Sequence, residues 1–206
     1  MDVFKTINKN ATAQIIEKKS KFIANIIYAE SQEEAEENIK RIKKKYYDAK
    51  HNCFAYIVKG ENGKIIKKSS DDGEPSGTAG TPMLEVLEKQ NLYNILVVVT
   101  RYFGGILLGT GGLLRAYSSA TIEAIKNTEI INKTIGFEVV LLINYKDIGE
   151  LKYTLEKENI KIKDIKYGEN VEILIEIPEN NLDIFLKKNK EKIIKQQIKT
   201  KKYIEI

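Results

Sequence analysis

The stretch Arg101-Tyr102-Phe103-Gly104-Gly105-Ile106-Leu107-Leu108-Gly109-Thr110-Gly111-Gly112-Leu113-Leu114-Arg115 holds five glycines within nine residues. Of 34 basic residues only Arg41, Arg101 and Arg115 are arginine, so two of the three fall in this stretch. In a chain that otherwise uses lysine, that points to a need for the planar, bidentate guanidinium. A helix is predicted from Thr110, and its first free amides, near Gly111, Gly112 and Leu113, favour an anion. Helical side chains lean toward the N-terminus, so Arg115 is placed over Gly111 and Gly112. A cation there opposes the helix dipole by about 0.3–1 kcal/mol unless an acid or a bound anion intervenes. Two sources of that negative charge stand open. One is a phosphate or carboxylate ligand held by Arg101, Arg115 and the helix amides, with Tyr102, Gly104, Gly105 and Gly109 shaping its approach. The other is an internal ion pair to Asp71, Asp72 or Glu74, with the glycines serving close packing. The spacing is neither the dinucleotide fingerprint nor a Walker loop.

The remaining candidates are weaker. His51 and Cys53 alternate on one strand and share a face, which suggests a Cys-His catalytic pair or two half-buried packing positions. Both are the only residues of their type, so an internal disulfide and a Cys- or His-rich zinc site are excluded. Asp71, Asp72 and Glu74 lie in a loop whose spacing matches no calcium loop, and Ser76 and Thr78 beside them have only His51 to activate them. Tyr102 and Phe103 could stack on bases beside Arg101. The run of lysines from Lys187 to Lys202 could track phosphates or be plain solvated surface. Neither a metal nor a cofactor is expected.

These residues need elements to position them. Apolar residues at 42% and charged residues at 31% fit a chain that buries a core. A length of 206 residues suits two modest domains. Two strands are predicted within 12–28, broken near Lys18 to Ser20. A helix follows, with Ser31 and Glu34 as a capping box and Ala35, Ile39, Ile42 and Tyr46 on one face. Strand His51–Lys59, a turn at Gly60–Gly63 and a return over Lys64–Lys68 come next. A loop then leads to a helix capped by Thr81 that reaches about Gln90. Ile95–Val99 reads as a strand buried on both faces, and the helix from Thr110 runs to about Lys126. The remainder reads as strand 136–145, helix 147–158 with Asp147 and Glu150 as a capping box, strands 160–167 and 171–177, helix 179–190 and strand 197–206. That βαββαβ order is the ferredoxin-like sandwich. The fold class is α+β, with domains at 1–132 and 133–206. The net charge of +5 is finely mixed with acids and gives weak evidence for nucleic acid. The first residues lack a signal-peptide pattern, and no apolar run reaches bilayer length. A cytoplasmic protein without a membrane partner is expected.

The run Asp71 to Gly80, followed by Thr100 to Gly105 and by Leu108-Gly109-x-Gly111-Gly112-Leu113-x-Arg115-Ala116-Tyr117, resembles the signature of the IMPACT/YigZ family. His51-x-Cys53 fits the same pattern, and the resemblance spans 20–125. It implies a left-handed βαβ N-terminal domain of the ribosomal-protein type, also seen in the fourth domain of elongation factor G. It further implies a ferredoxin-like C-terminal domain of the kind found near the end of that factor. Eukaryotic relatives regulate translation by binding the protein that activates a starvation-responsive kinase, and only the broader theme of translation or RNA carries over. The expectation is therefore a translation-linked regulatory protein, monomeric or weakly dimeric, whose partner is RNA or a ribosome-associated protein. The alternative is a hydrolase or transferase acting on a small phosphorylated or carboxylated substrate in the same cleft, with His51 as general base.

Overall fold

The computed structural model describes residues 3–60 and 64–206. The turn expected at Gly60–Gly63 falls on residues 61–63, outside the described residues. The chain divides into two compact units, Phe4–Ile131 and Asn132–Ile206.

The first unit contains β1 (Phe4–Ile7), β2 (Ala11–Glu17), β3 (Ser20–Tyr28), α1 (Gln32–Lys45), β4 (His51–Lys59), β5 (Ile65–Ser70), α2 (Gly80–Lys89), β6 (Ile95–Tyr102) and α3 (Thr110–Lys126). Its main sheet has the order β2-β3-β6-β4-β5, with every neighbouring pair antiparallel. Strands β3 and β4 are both antiparallel to β6 and therefore parallel to each other, with α1 as their crossover. Two cores follow. Helix α1 sets Ala35, Ile39 and Ile42 against Ile27, Tyr56, Leu96 and Val98. Helices α2 and α3 cover the opposite face, where Met83, Leu87, Tyr117 and Ala120 meet Phe22, Cys53, Ile95, Val97 and Val99. A strand with helices on both faces has no wet side, which is why Ile95–Val99 is apolar throughout.

Caps explain the ends of the helices, and two of them differ from expectation. Ser31 Oγ accepts from the Glu34 amide at 3.1 Å as predicted, while the Glu34 carboxylate accepts from the Glu30 amide at 2.8 Å. Thr81 does not cap α2. That helix begins at Gly80, and its entrance is satisfied by Asp71, nine residues upstream in sequence, which accepts from the amides of Gly80 at 2.8 Å and Ala79 at 2.9 Å. A close approach permits this: a Cβ on Gly80 would lie 2.7 Å from the Ser70 nitrogen.

The second unit carries β7 (Ile130–Ile143), α4 (Ile148–Lys157), β8 (Lys161–Tyr167), β9 (Val171–Pro178), α5 (Glu179–Lys188) and β10 (Ile193–Glu205). The strand order β10-β7-β9-β8, all antiparallel, is the expected ferredoxin-like arrangement. Val139, Leu141, Ile173 and Ile175 pack under Leu151, Leu155, Leu182 and Phe185. Asp147 forms no side-chain cap, because it ends a 3-10 turn (Tyr145–Asp147) in helical backbone conformation, where a capping residue would be extended. Strand β7 starts at Ile130 rather than 136, and β10 at Ile193 rather than 197. Half of the lysine run toward the C-terminus is ion-paired: Lys192 to Glu150 at 2.5 Å, Lys201 to Glu179 at 2.7 Å, Lys202 to Glu176 at 2.8 Å, and Lys188 to Glu158. Among the described residues no helix is long and apolar enough to cross a membrane.

Candidate functional site

Strand β6 carries Arg101 to the end of the sheet, where register places it opposite Phe22 of β3 and His51 of β4. Arg101 is 7% exposed. Its Nη1 donates to Glu74 Oε1 at 2.7 Å, and the buried Tyr117 hydroxyl of α3 donates to the same oxygen at 2.8 Å. The guanidinium lies 5.6 Å from both the Phe22 and the Phe103 ring centroids, and its buried Nε has no partner. Of the two counter-charges left open by the sequence, Arg101 takes the internal one. A buried cation is stable only beside a compensating charge, and Glu74 supplies it here.

The acidic loop is a clamp. Asp71 accepts from three backbone amides, the third being Gly77 at 2.8 Å. Burial raises its pKa, but the three amides outweigh burial and hold the carboxyl below the ordinary aspartate value. Asp72 accepts from the Asn52 amide at 2.8 Å and pairs with Lys43 at 2.5 Å. Thr78 Oγ1 donates to the Pro75 carbonyl at 2.6 Å, and Ser76 is exposed. Among the described residues no group of three His, Cys, Asp or Glu side chains could hold a metal ion.

His51 and Cys53 share a face of β4 but make no bond to each other. The Cys53 thiol donates to the Asp71 carbonyl at 2.9 Å and to the Tyr117 oxygen at 3.3 Å. Burial, with Glu74, Asp72 and Asp71 nearby, pushes the thiol pKa up to about 12 against the opposing effect of its hydrogen bond with Tyr117. A thiol so held is no nucleophile near neutrality, and the Cys-His pairing is corrected. His51 Nδ1 lies 2.9 Å from the Asp72 carbonyl, which can only accept, so Nδ1 carries the proton and Nε2 is the remaining nitrogen.

The glycines divide by purpose. A Cβ on Gly104 would sit 2.0 Å from the Lys19 carbonyl carbon, because the turn between β2 and β3 presses on it, and its amide donates to Ser20 Oγ at 3.2 Å. Gly105 and Gly109 have φ of +82° and +73°, and a Cβ on either would meet nothing within 4 Å. Gly109 is the N-cap of α3, which has neither a side-chain cap nor an acid in its first turn. A Cβ on Gly111 would be 3.7 Å from Arg115 Nη1, so Arg115 does reach back over the helix start as its position predicted. Arg115 is exposed and makes no ion pair with any described residue. The anticipated single cleft is instead two hollows. One, of about 340 Å3, is lined by Asp48, Lys50, His51, Arg101, Tyr102, Phe103 and Leu107. The other, of about 240 Å3, is lined by Glu17 as well as by Lys18, Leu108, Gly112, Arg115 and Ser119. Leu107 lines the first and Leu108 the second, so the loop from Gly104 to Gly109 forms the wall between them. Phe103 is 58% and Leu107 83% exposed, while the Tyr102 hydroxyl is tied to Asp48 at 2.7 Å.

Residues 18–125, more than half of the chain, match the Impact N-terminal domain. The IMPACT family member YvyE of Bacillus subtilis is 40% identical over 87% of this chain and 82% of its own length.

The chain belongs to the IMPACT family.

A Dictyostelium discoideum protein IMPACT homolog is 44% identical over 46% of the chain and 28% of its own length. A crystal structure titled only as that of a hypothetical protein superposes with a TM-score of 0.66, at 31% identity and 93% coverage of both chains. Residues 141–188 match a domain of unknown function, DUF1949, and lie in the ferredoxin-like unit. The IMPACT-family match contains both hollows and the loop dividing them. Lys50, Leu107 and Tyr117 were not among the site residues anticipated from sequence. Tyr117 reads as an ordinary core position of α3, and Leu107 as an interior apolar residue. Only the placement of Ile106 and Leu107 between glycines marks a loop too short to bury them.

Proposed function

We propose that this IMPACT-family chain is a translation-linked binding protein that takes single-stranded RNA across the Gly104–Gly109 loop. The observation that carries this reading is the pairing, across one loop, of an exposed aromatic shelf with an uncompensated guanidinium at an uncapped helix entrance. Phe103 offers a π-face to an unstacked base, and the exposed Lys50 supplies a donor beside it. On the other side of the wall, Arg115, Lys18 and the free amides of α3 favour a phosphate. Glu17 and Asp48 carry the opposing charges nearby, which keeps the site modest in affinity. The link to translation comes from the family resemblance.

Short single-stranded RNA titrated by fluorescence anisotropy at several salt concentrations tests the reading, since the two halves of the site fail differently. Phe103→Ala removes a stacked base worth about 1–3 kcal/mol and leaves the salt slope unchanged. Arg115→Ala lowers the slope by about 0.7, one phosphate for a single strand. Absence of binding at low salt, or two variants that bind like the parent, ends the proposal. The enzyme alternative keeps His51 as its general base, through Nε2. A His51→Ala chain with full turnover on a phosphorylated or carboxylated substrate removes that role.

A further inference from the structure

Arg41 is the one arginine that the glycine stretch does not contain. It lies on α1 with Lys45 one turn later, and both cations line a hollow of about 300 Å3 between α1 and strands β2 and β3. Like charges four residues apart on a helix repel. Neither forms an ion pair with a described residue: the Arg41 guanidinium donates to Asn38 Oδ1 at 2.6 Å, and Lys45 Nζ lies 5.0 Å over the Tyr46 ring. This contrasts with their neighbours, since Lys43 on the same helix pairs with Asp72 and Lys68 of β5 pairs with Glu36. No carboxylate lines the hollow.

The floor is equally unusual. Asn25 of β3 stands directly opposite Val98 of β6, on the face where α1 buries Ile27 and Leu96, yet it is an amide and is 5% exposed. Its oxygen accepts from Thr12 Oγ1 at 3.2 Å, and its Nδ2 has no partner at all. Buried donors are ordinarily satisfied, and a valine would fill this strand position without the desolvation of an amide. An unsatisfied buried N–H, two unpaired cations and no acid around one hollow form a donor set that lacks its acceptor.

We propose that this hollow binds the dianionic phosphate of a small phosphomonoester. Arg41 takes two phosphate oxygens, Lys45 neutralises the second charge, and Asn25 Nδ2 donates to an oxygen or to an acceptor of the attached group. The apolar walls given by Ala11 and Ile42 leave room for a sugar or a base. The site lies apart from the glycine loop and does not depend on the RNA reading.

The test uses the full chain labelled with 15N, titrated with inorganic phosphate and with adenosine 5′-monophosphate, and follows the Asn25 side-chain NH2 pair by NMR. The expected result is saturable movement of that pair at millimolar ligand or below, with Arg41→Ala weakening the affinity by about tenfold or more. Arg41 is exposed, so its replacement leaves the fold intact. Asn25→Val, which supplies the apolar residue the strand position favours, is expected to abolish binding while raising stability. The proposal is overturned if neither ligand moves the Asn25 pair, if Arg41→Ala or Asn25→Val binds like the parent, or if only 5′-phosphorylated RNA engages Arg41. Loss of RNA binding in Phe103→Ala leaves phosphate binding here unchanged, so the two proposals fail separately.

Discussion

Replacing Glu74 by alanine withdraws the one carboxylate paired with Arg101, whose side chain is 8% exposed while that of Glu74 is 3% exposed. Two donors lose the same acceptor at once, Arg101 Nη1 and the Tyr117 hydroxyl, and Arg101 Nε is already without a partner. Breaking a buried pair from one side costs about 3–5 kcal/mol, set against the roughly 5–15 kcal/mol that stabilises a whole domain. The chain has no tryptophan and two units, so a single optical transition is a poor probe. Native-state hydrogen exchange reads the units separately, and protection of the β4 and β6 amides should fall by about 10^2- to 10^4-fold in Glu74→Ala. Adding Arg101→Met restores most of it, because no unpaired charge is then buried and only the neutral Tyr117 hydroxyl is left without its acceptor. If Glu74→Ala loses less than about tenfold protection, or if the double variant is no better than the single, Glu74 is not what holds Arg101 and the internal pairing is wrong. RNA binding that survives in the double variant would further place Arg101 as a strut beneath the site rather than a contact within it.

Asp71→Asn weakens the clamp on α2 by about 0.5–2 kcal/mol, the range for a lost helix cap. Because the Asp71 pKa is lowered by folding, its contribution is complete above the ordinary aspartate value of about 3.9 and drains away as pH falls through the folded value. An acid titration followed by circular dichroism should show that loss in the parent and not in the Asn variant. Gly104→Ala forces the β2–β3 turn to move, since its Cβ would lie 2.0 Å from Lys19 backbone, and it should exceed the about 1–3 kcal/mol of ordinary overpacking. Gly105→Ala meets only its φ of +82° and should cost about 1–2 kcal/mol, so urea midpoints that fail to separate the two contradict the packing. Cys53, buried with its thiol pushed up to about 12, should resist iodoacetamide at pH 8 until the chain is denatured, and prompt alkylation of the native protein would refute that environment.

Where periodicity is strong, the fold was legible. The apolar run Ile95–Val99 requires helices on both faces, and the second unit's βαββαβ order followed from its alternating strands. Caps made at a distance were not legible: Asp71 satisfies Gly80 across a loop, and nothing adjacent to Gly80 signals it. The short strand β1 lay hidden as well, since Phe4–Ile7 is too brief to show a period; it pairs with β7 and adds a parallel bridge from Lys5 to Leu92. At the site, residue types announced the arginines and glycines, and Arg115 stands where its helix position required. The partner of Arg101 was one of three acids in the loop, and only the fold of that loop selects Glu74. Phe103 was legible as a stacking candidate beside Arg101, whereas the exposure of Leu107 showed only in its place between glycines.

The residues that carry the family resemblance mostly bond to one another. Asp71 clamps the loop onto α2, Asp72 ties β4 and α1, and Glu74 joins Arg101 to Tyr117 and, through it, to Cys53. Acid-base chemistry needs groups that exchange protons near the working pH, and burial moves this net the other way. Cys53 is raised to about 12, and Tyr117 is driven far above its ordinary value by burial first and by Cys53 and Glu74 next. Such a net cannot relay protons at neutrality, but it does fix the end of β6 and the root of the Gly104–Gly109 loop. What that frame presents outward is mainly Phe103, Leu107, Lys50 and Arg115, which are aromatic, apolar and cationic, with Asp48, His51 and Glu17 beside them. A rigid polar foundation under an exposed rim of this composition suits recognition, and it locates the contacts to test on the rim rather than in the buried signature.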